Sequence, residues 1–160
     1  MPMTSRRTPT WLVVVAAAYL LGALGVGLWP RPVDSGMHPE IFSALAFLHR
    51  IGLPQGFGYN ALEFTANVGF FVPIGLLLAM LLRPRRFYLA ILGGAMLSGS
   101  IELSQLVFLP ARYASWKDIE ANTLGTVIGV LAVVIARGIW MNLRARSDIN
   151  PANPATPATR

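Results

Sequence analysis

Four long runs of hydrophobic residues, separated by short polar stretches, dominate the chain. They cover residues 11–29, 62–82, 87–108 and 119–140. Each run has about 20 residues, which at ~1.5 Å per residue in an α-helix matches the ~30 Å hydrocarbon core of a bilayer. The pattern therefore predicts an all-α integral membrane bundle of four transmembrane helices.

The connection between the first two runs contains a shorter amphipathic segment. Pro39 suits the first turn of a helix, and Ile41, Leu45, Leu48 and Ile51 recur on one helical face. This segment is too short to cross a bilayer. It is predicted to be a short interfacial amphipathic helix in the outer loop.

The two ends of the chain are polar and frame a single membrane domain. Residues 1–10 are predicted to be a cytoplasmic N-terminal segment, residues 11–146 the membrane domain, and residues 147–160 a disordered cytoplasmic tail rich in Pro, Ala and Thr. Two arginines precede the first run, as in a signal peptide. Because this run exceeds the usual signal core of about 7–15 residues, it is predicted to be a retained helix.

Composition agrees with this interpretation. Only 12% of residues are charged and 54% are hydrophobic, whereas soluble domains carry about 25% charged residues. These values exclude a disordered chain, a nucleic-acid-binding arm and an ordinary soluble enzyme, and they make the lipid bilayer the expected partner. The absence of cysteine from the sequence excludes disulfides, thiolate nucleophiles and cysteine-ligated metals.

The basic residues divide unequally between the two sides of the predicted bundle. With a cytoplasmic N-terminus, the inner side carries Arg6, Arg7, Arg83, Arg85, Arg86, Arg137, Arg144, Arg146 and Arg160. The outer side carries Arg31, Arg50, Arg112 and Lys117. By the positive-inside rule this bias predicts a multi-pass protein of the bacterial inner membrane with both termini in the cytoplasm.

The few polar residues near the runs share one level, close to the predicted outer surface. The candidate binding residues are Glu63, Asn67, Ser98, Glu102, Gln105, Arg112, Asp118 and Asn122. Ionisable groups inside a membrane are costly, and they are functional candidates by default. Glu102, Asp118 and Glu63 are the candidates for a catalytic role, which the sequence leaves unassigned. The two histidines are unclustered, and neither a metal nor a cofactor is expected.

A purely structural explanation competes with the functional one. Glu102 and Arg112 can form a clasp that ties the third span to the outer loop, and the amides can be hydrogen-bonding links between helices. Three acids and several amides at one depth exceed what a clasp requires, so the set as a whole favours a function. Gly125 and Gly129 form a GxxxG element, which allows close helix approach and makes a homo-oligomer through these glycines one expectation.

Three motif blocks follow one another between residues 63 and 129. The first is Glu63-x3-Asn67-x3-Phe71-x-Pro73-x-Gly75, the second Ser98-x3-Glu102-x2-Gln105, and the third Arg112-x5-Asp118-x3-Asn122-x2-Gly125-x3-Gly129. In this order and spacing they resemble the VanZ-like family of small multi-pass bacterial membrane proteins. One position departs from the family pattern: Ser115 stands where the family often has an acid, which makes cation binding less expected.

The resemblance implies a cell-envelope protein, since founding members of the family are associated with low-level resistance to the glycopeptide teicoplanin. It implies no defined reaction. The leading hypothesis is an outward-facing polar pocket that binds an amphiphile or lipid headgroup, with Glu102 as acceptor and Arg112 as its cationic partner or an anion ligand. An intramembrane acid/base hydrolase or transferase acting on an envelope lipid ranks below it, because water and Ser98 are the only apparent nucleophiles. A structural membrane scaffold is a further alternative. Ser98, Glu102 and Gln105, spaced four and three apart, form one polar stripe along the third run. A small transporter ranks last, because no polar residue continues this stripe through the inner half.

Overall fold

The computed structural model describes residues 8–31 and 36–149, and the regular elements in this part of the chain are all helices, with no strand. The helices are α1 (Thr10–Gly27), α2 (His38–Arg50), α3 (Tyr59–Leu81), α4 (Phe87–Phe108) and α5 (Trp116–Ile149), and a 3₁₀ turn at Pro84–Arg86 joins α3 to α4. Four of them, α1, α3, α4 and α5, are long and apolar enough to cross a membrane. The prediction of an all-α membrane bundle is confirmed.

The helix bounds follow the hydrophobic runs closely, with one large difference. α4 coincides with its predicted span, whereas α5 begins before residue 119 and continues well past residue 140. Hydropathy marks where apolar residues stop, but good helix formers such as Arg144 let the helix continue. Positions 147–149, predicted to begin the tail, therefore belong to α5. The rest of that tail and residues 1–7 lie outside the described residues.

α3 and α5 form the most extensive helix pair, and glycine makes their close approach possible. A Cβ atom on Gly125 would collide with the carbonyl oxygen of Val68, and one on Gly129 with that of Val72. The GxxxG element thus packs against α3 of the same chain. The face of these two glycines is covered by α3, and the expected homo-oligomer stays a prediction.

α4 and α1 complete the bundle around this pair. The side chain of Thr126 on α5 fits against Gly94 of α4, while the backbone of the same residue contacts Gly75 of α3. α1 packs through Ala23 into a buried cluster with Phe71 and Ile101. α3, α4 and α5 therefore form a tight core, and α1 lies at its side.

α2 is present where the amphipathic pattern predicted a helix, but it contributes little to the core. Leu45 is buried, whereas Ile51 on the same predicted face is 65% exposed. The ring of His38 lies 5.6 Å from that of Tyr59 at the start of α3. This contact holds the beginning of α2 near the N-terminal end of α3.

The bundle has two chemically different ends. One end is formed by the C-terminal ends of α1 and α4 and the N-terminal ends of α3 and α5, and we call it the polar end. It is defined by the hydrogen bonds Gln105–Gly27 and Asn67–Asp118. The arginine end is the opposite one, where Arg137 of α5 reaches the last turn of α3.

Candidate functional site

Glu102 is the most deeply placed acid of the polar end. It lies in the penultimate turn of α4 and is only 6% exposed. Its Oε2 atom accepts a hydrogen bond of 2.8 Å from the backbone N–H of Ser115, the residue just before α5. The carboxylate therefore attaches α4 to the start of α5 through the main chain.

Ser115 is the N-cap of α5. Its hydroxyl oxygen accepts a hydrogen bond of 3.2 Å from the backbone N–H of Lys117. In a capping box the acidic residue three positions after the cap bonds the N–H of the cap residue. Here Glu102 of a different helix supplies that bond. Asp118, which occupies the third position, bonds elsewhere.

Asp118 joins α5 to α3. Its Oδ1 atom accepts a hydrogen bond of 2.8 Å from the Nδ2 atom of Asn67, and both side chains are half-buried. An ionised carboxylate makes stronger hydrogen bonds than a neutral acceptor. This contact fixes the relative positions of α3 and α5 at the polar end.

A third contact lies one helical turn deeper. Asn122 of α5 donates a hydrogen bond of 2.9 Å from Nδ2 to the hydroxyl oxygen of Ser98 on α4, and both residues are buried. The Oδ1 atom of Asn122 is buried without a hydrogen-bond partner among the described residues. Asn67, Ser98, Glu102, Ser115, Asp118 and Asn122 are called the polar cluster below.

Arg112 and Glu63 lie at the edge of the polar cluster. The charge of half-buried Arg112 lies within electrostatic range of Glu102 and Asp118, and Glu63, an exposed residue, is within range of Glu102. The bond that holds Glu102 comes from the main chain of Ser115. The predicted clasp through Arg112 is corrected accordingly, since this arginine acts on Glu102 at longer range.

Gln105 does not join the polar cluster, although it shares the predicted stripe. Its Nε2 atom donates a hydrogen bond of 2.8 Å to the carbonyl oxygen of Gly27. A Cβ atom on this glycine would lie 2.9 Å from Ile101. Gln105 therefore anchors the end of α1 on α4.

A cavity of about 340 Å³ opens beside Glu102. Its lining residues are Gly99, Glu102, Leu103, Leu106, Ala114, Ser115, Trp116 and Ile119. Glu102 alone among them carries a charge. Leu103 and Leu106 are exposed and Trp116 is 81% exposed, so the cavity lies on the outside of the bundle, where an apolar surface faces lipid.

Sequence reasoning missed the main-chain partner of Glu102 and the role of Thr126. The spacing Ser115-x-x-Asp118 is an N-cap signature from which the start of α5, placed instead at residue 119, could have been found. No sequence signal indicated that an acid of α4 bonds this cap. Within the described residues, the carboxylates do not gather into a group of three or more that could hold a metal ion.

The fold and the polar cluster together define a multi-pass helical membrane protein whose helices are held at one end by buried polar contacts. A sequence profile of the VanZ/LLP1 family matches residues 11–137, most of the chain, and the protein belongs to this family. The match includes α1 and α2 as well as the motif-bearing region. No curated protein and no solved structure matches the chain.

Proposed function

We propose that this VanZ/LLP1-family protein binds an amphiphile in the outer leaflet of the bacterial inner membrane, with its headgroup in the cavity beside Glu102. The observation that carries the proposal is a buried carboxylate in the wall of an otherwise largely apolar, lipid-facing cavity. A carboxylate in such surroundings is costly unless donors satisfy it. A ligand with a hydrogen-bond donor can bond this carboxylate, whereas the hydrocarbon chains of the bilayer have no donor to offer.

The size of the cavity supports a headgroup rather than a whole lipid. A volume of about 340 Å³ is near the lower limit of small-molecule sites, which span about 300–1,000 Å³. The acyl chains of the ligand then lie along the exposed side chains of Leu103 and Leu106. Such chains need no cavity because the bilayer already surrounds them.

The chemistry of the wall favours a headgroup that carries an amine or hydroxyl. Oε2 of Glu102 already accepts the Ser115 N–H, and an ionised carboxylate has capacity for further donors. The exposed indole of Trp116 on the same wall can attract a cation through its ring face. Arg112, at the edge of the polar cluster, suits the phosphate of a zwitterionic headgroup.

The proposal requires the polar end to face outward. Reporter fusions after Arg50, Arg86, Lys117 and Arg146 are expected to report outside, inside, outside and inside. The reason is the excess of basic residues on the inner side of the predicted topology. The reverse pattern would place the cavity in the inner leaflet and contradict the proposal.

Lipids retained by the purified protein test the binding itself. Glu102→Gln removes the charge but keeps an acceptor for Ser115 N–H, so the folded protein is expected to persist while the retained amphiphile is lost. Glu120→Gln is the matched control, because this exposed acid of α5 is absent from the cavity wall. Mass spectrometry of the extracted lipids compares the variants with the wild type. Equal retention by Glu102→Gln and the wild type would refute the proposal.

A second variant separates binding from folding. Leu106→Trp enlarges an exposed side chain at the cavity wall, so it is expected to fill the cavity without disturbing the core or Glu102. Loss of the retained lipid with an unchanged unfolding transition supports the binding site. If Glu102→Gln reduces the protein level while Leu106→Trp retains the lipid, the polar cluster is a scaffold and the proposal is wrong.

A further inference from the structure

The turn between α3 and α4 carries three exposed arginines. Arg83 precedes the 3₁₀ turn, and Arg85 and Arg86 belong to it. Pro84 occupies the first helical position, and the backbone N–H of Arg86 donates a hydrogen bond of 2.8 Å to the carbonyl oxygen of Arg83. The turn is thus a short, closed segment from which three guanidinium-bearing side chains project. We call Arg83–Arg86 the arginine turn.

Acidic residues are concentrated at the opposite end of the bundle. The acids with described side chains are Glu40, Glu63, Glu102, Asp118 and Glu120, and all of them lie at the polar end. The first turn of α4, which follows the arginine turn directly, contains no acid. Asp148 lies on α5 at about 16 Å beyond Arg137 along the helix axis, at 1.5 Å per residue. Among the acids with described side chains, none therefore lies at the end of the bundle that carries the turn.

The neighbouring arginines on α5 have other partners. Arg137 donates hydrogen bonds of 3.2 and 3.4 Å to the carbonyl oxygens of Ala79 and Leu82, and its guanidinium lies 5.2 Å from the centre of the Phe87 ring. Arg144 lies over the ring of Trp140 at 3.5 Å. These cations add to the positive field at the arginine end, whereas the arginine turn presents its side chains to the surroundings.

We propose that the arginine turn binds the phosphate groups of anionic phospholipids in the leaflet at this end of the bundle. The turn connects two membrane-spanning helices directly, which places its side chains at the level of the headgroups. Guanidinium groups match phosphate geometry in a fork of donors. Each basic residue near an anionic membrane surface strengthens association about fivefold. This inference is independent of the amphiphile site at the polar end.

Lipid binding to the full-length protein in detergent tests this inference. Native mass spectrometry compares phosphatidylglycerol with phosphatidylcholine of the same acyl chains. In the double variant Arg85→Gln/Arg86→Gln, the preference for phosphatidylglycerol is expected to fall at least about tenfold, since two attractive charges are removed. The control Arg31→Gln/Arg50→Gln removes the same charge from exposed positions at the polar end and is expected to change the preference less than twofold.

Further arms of the experiment distinguish the possible outcomes. Arg85→Lys/Arg86→Lys keeps both charges and is expected to retain much of the preference, which shows that loss in the glutamine variant reflects charge rather than misfolding. Raising the salt concentration is expected to weaken the preference, because exposed charges are screened. An unchanged preference in the glutamine variant overturns the inference. Displacement of the lipid by an equal concentration of inorganic phosphate would assign the turn to free phosphate and would also overturn it.

Discussion

The polar end and the arginine end show how one bundle uses charge in two different settings. At the polar end, Glu102 and Asn122 are buried and bond to partners on another helix or its cap. At the arginine end, the cations of the arginine turn are exposed. Polar groups inside hydrocarbon must be paired, whereas those at the headgroup level can be solvated. Buried polar groups therefore determine which helices meet, and exposed ones remain available for external ligands.

At both ends, a charged side chain bonds backbone groups at a helix terminus. Glu102 bonds an N–H at the beginning of α5, and Arg137 bonds carbonyl oxygens at the end of α3. Helix N-termini favour negative charge and C-termini favour positive charge, because the terminal N–H and C=O groups lack helical partners. α5 is thus bonded to α4 through the acid Glu102 at its start, and to the end of α3 through its own Arg137.

The largest expected effect lies between the two ends. Gly129→Val is expected to destabilise the protein by about 3 kcal/mol, since the new atoms would meet backbone of α3 that cannot move aside easily. Unfolding of the purified protein in a denaturing detergent titration measures this change. Gly138→Val on the same helix is the control, because a Cβ there meets nothing within 4 Å. Equal effects of the two substitutions would contradict the close packing of α3 and α5.

Arg137→Met is expected to have the next largest effect. It removes the donors to Ala79 and Leu82 while keeping an apolar side chain of similar reach, at a cost of about 2 kcal/mol. The same unfolding titration measures the loss. Arg85→Met, at an exposed position of the arginine turn, is expected to change stability much less. A similar result for both arginines would remove the distinction between structural and surface cations at this end.

Asn67→Ala is expected to cost about 1.5 kcal/mol, because Asp118 loses its donor in half-buried surroundings. A double-mutant cycle with Asp118→Ala measures the coupling between the two side chains. Asn60→Ala, at an exposed position in the first turn of α3, is the matched control. Strictly additive effects of Asn67→Ala and Asp118→Ala would show that this hydrogen bond does not hold α3 to α5.

The smallest expected effect tests the cap of α5. Ser115→Ala removes the acceptor for the Lys117 N–H but leaves the backbone bond to Glu102. The expected loss is about 1 kcal/mol, as for other N-caps. Ser115→Thr keeps the hydroxyl and is expected to remain close to the wild type in thermal unfolding. A threonine variant as unstable as the alanine variant would exclude capping as the cause.

The sequence predicted the helices better than the partners of their polar residues. Hydropathy located α4 correctly because a bilayer span requires a continuous apolar run. It could not show that Glu102 bonds the main chain of Ser115, because backbone donors are the same at every residue. Side-chain type indicated only that this acid needed a donor.

Helical geometry explains why Gln105 contacts α1 and does not join Glu102 in the polar cluster. Three residues along an α-helix leave a side chain about 60° from the starting direction, and this angle turns Gln105 from the side of Glu102 towards α1. Similarly, the spacing of Gly125 and Gly129 indicated close approach without specifying the partner helix. Contact with α3 became evident only from the packed bundle.

The bond between Glu102 and Ser115 also has a consequence for synthesis of the chain. The donor belongs to Ser115, so a chain that contains α4 but stops short of this residue lacks the partner of the Glu102 carboxylate. A truncated chain that ends before Ser115 carries an acid in an apolar helix without that donor, a condition that membrane insertion disfavours. Arrival of the last helix completes the bond. The acid of α4 therefore depends on the residue that caps α5, and a complete set of bonds at Glu102 requires both segments.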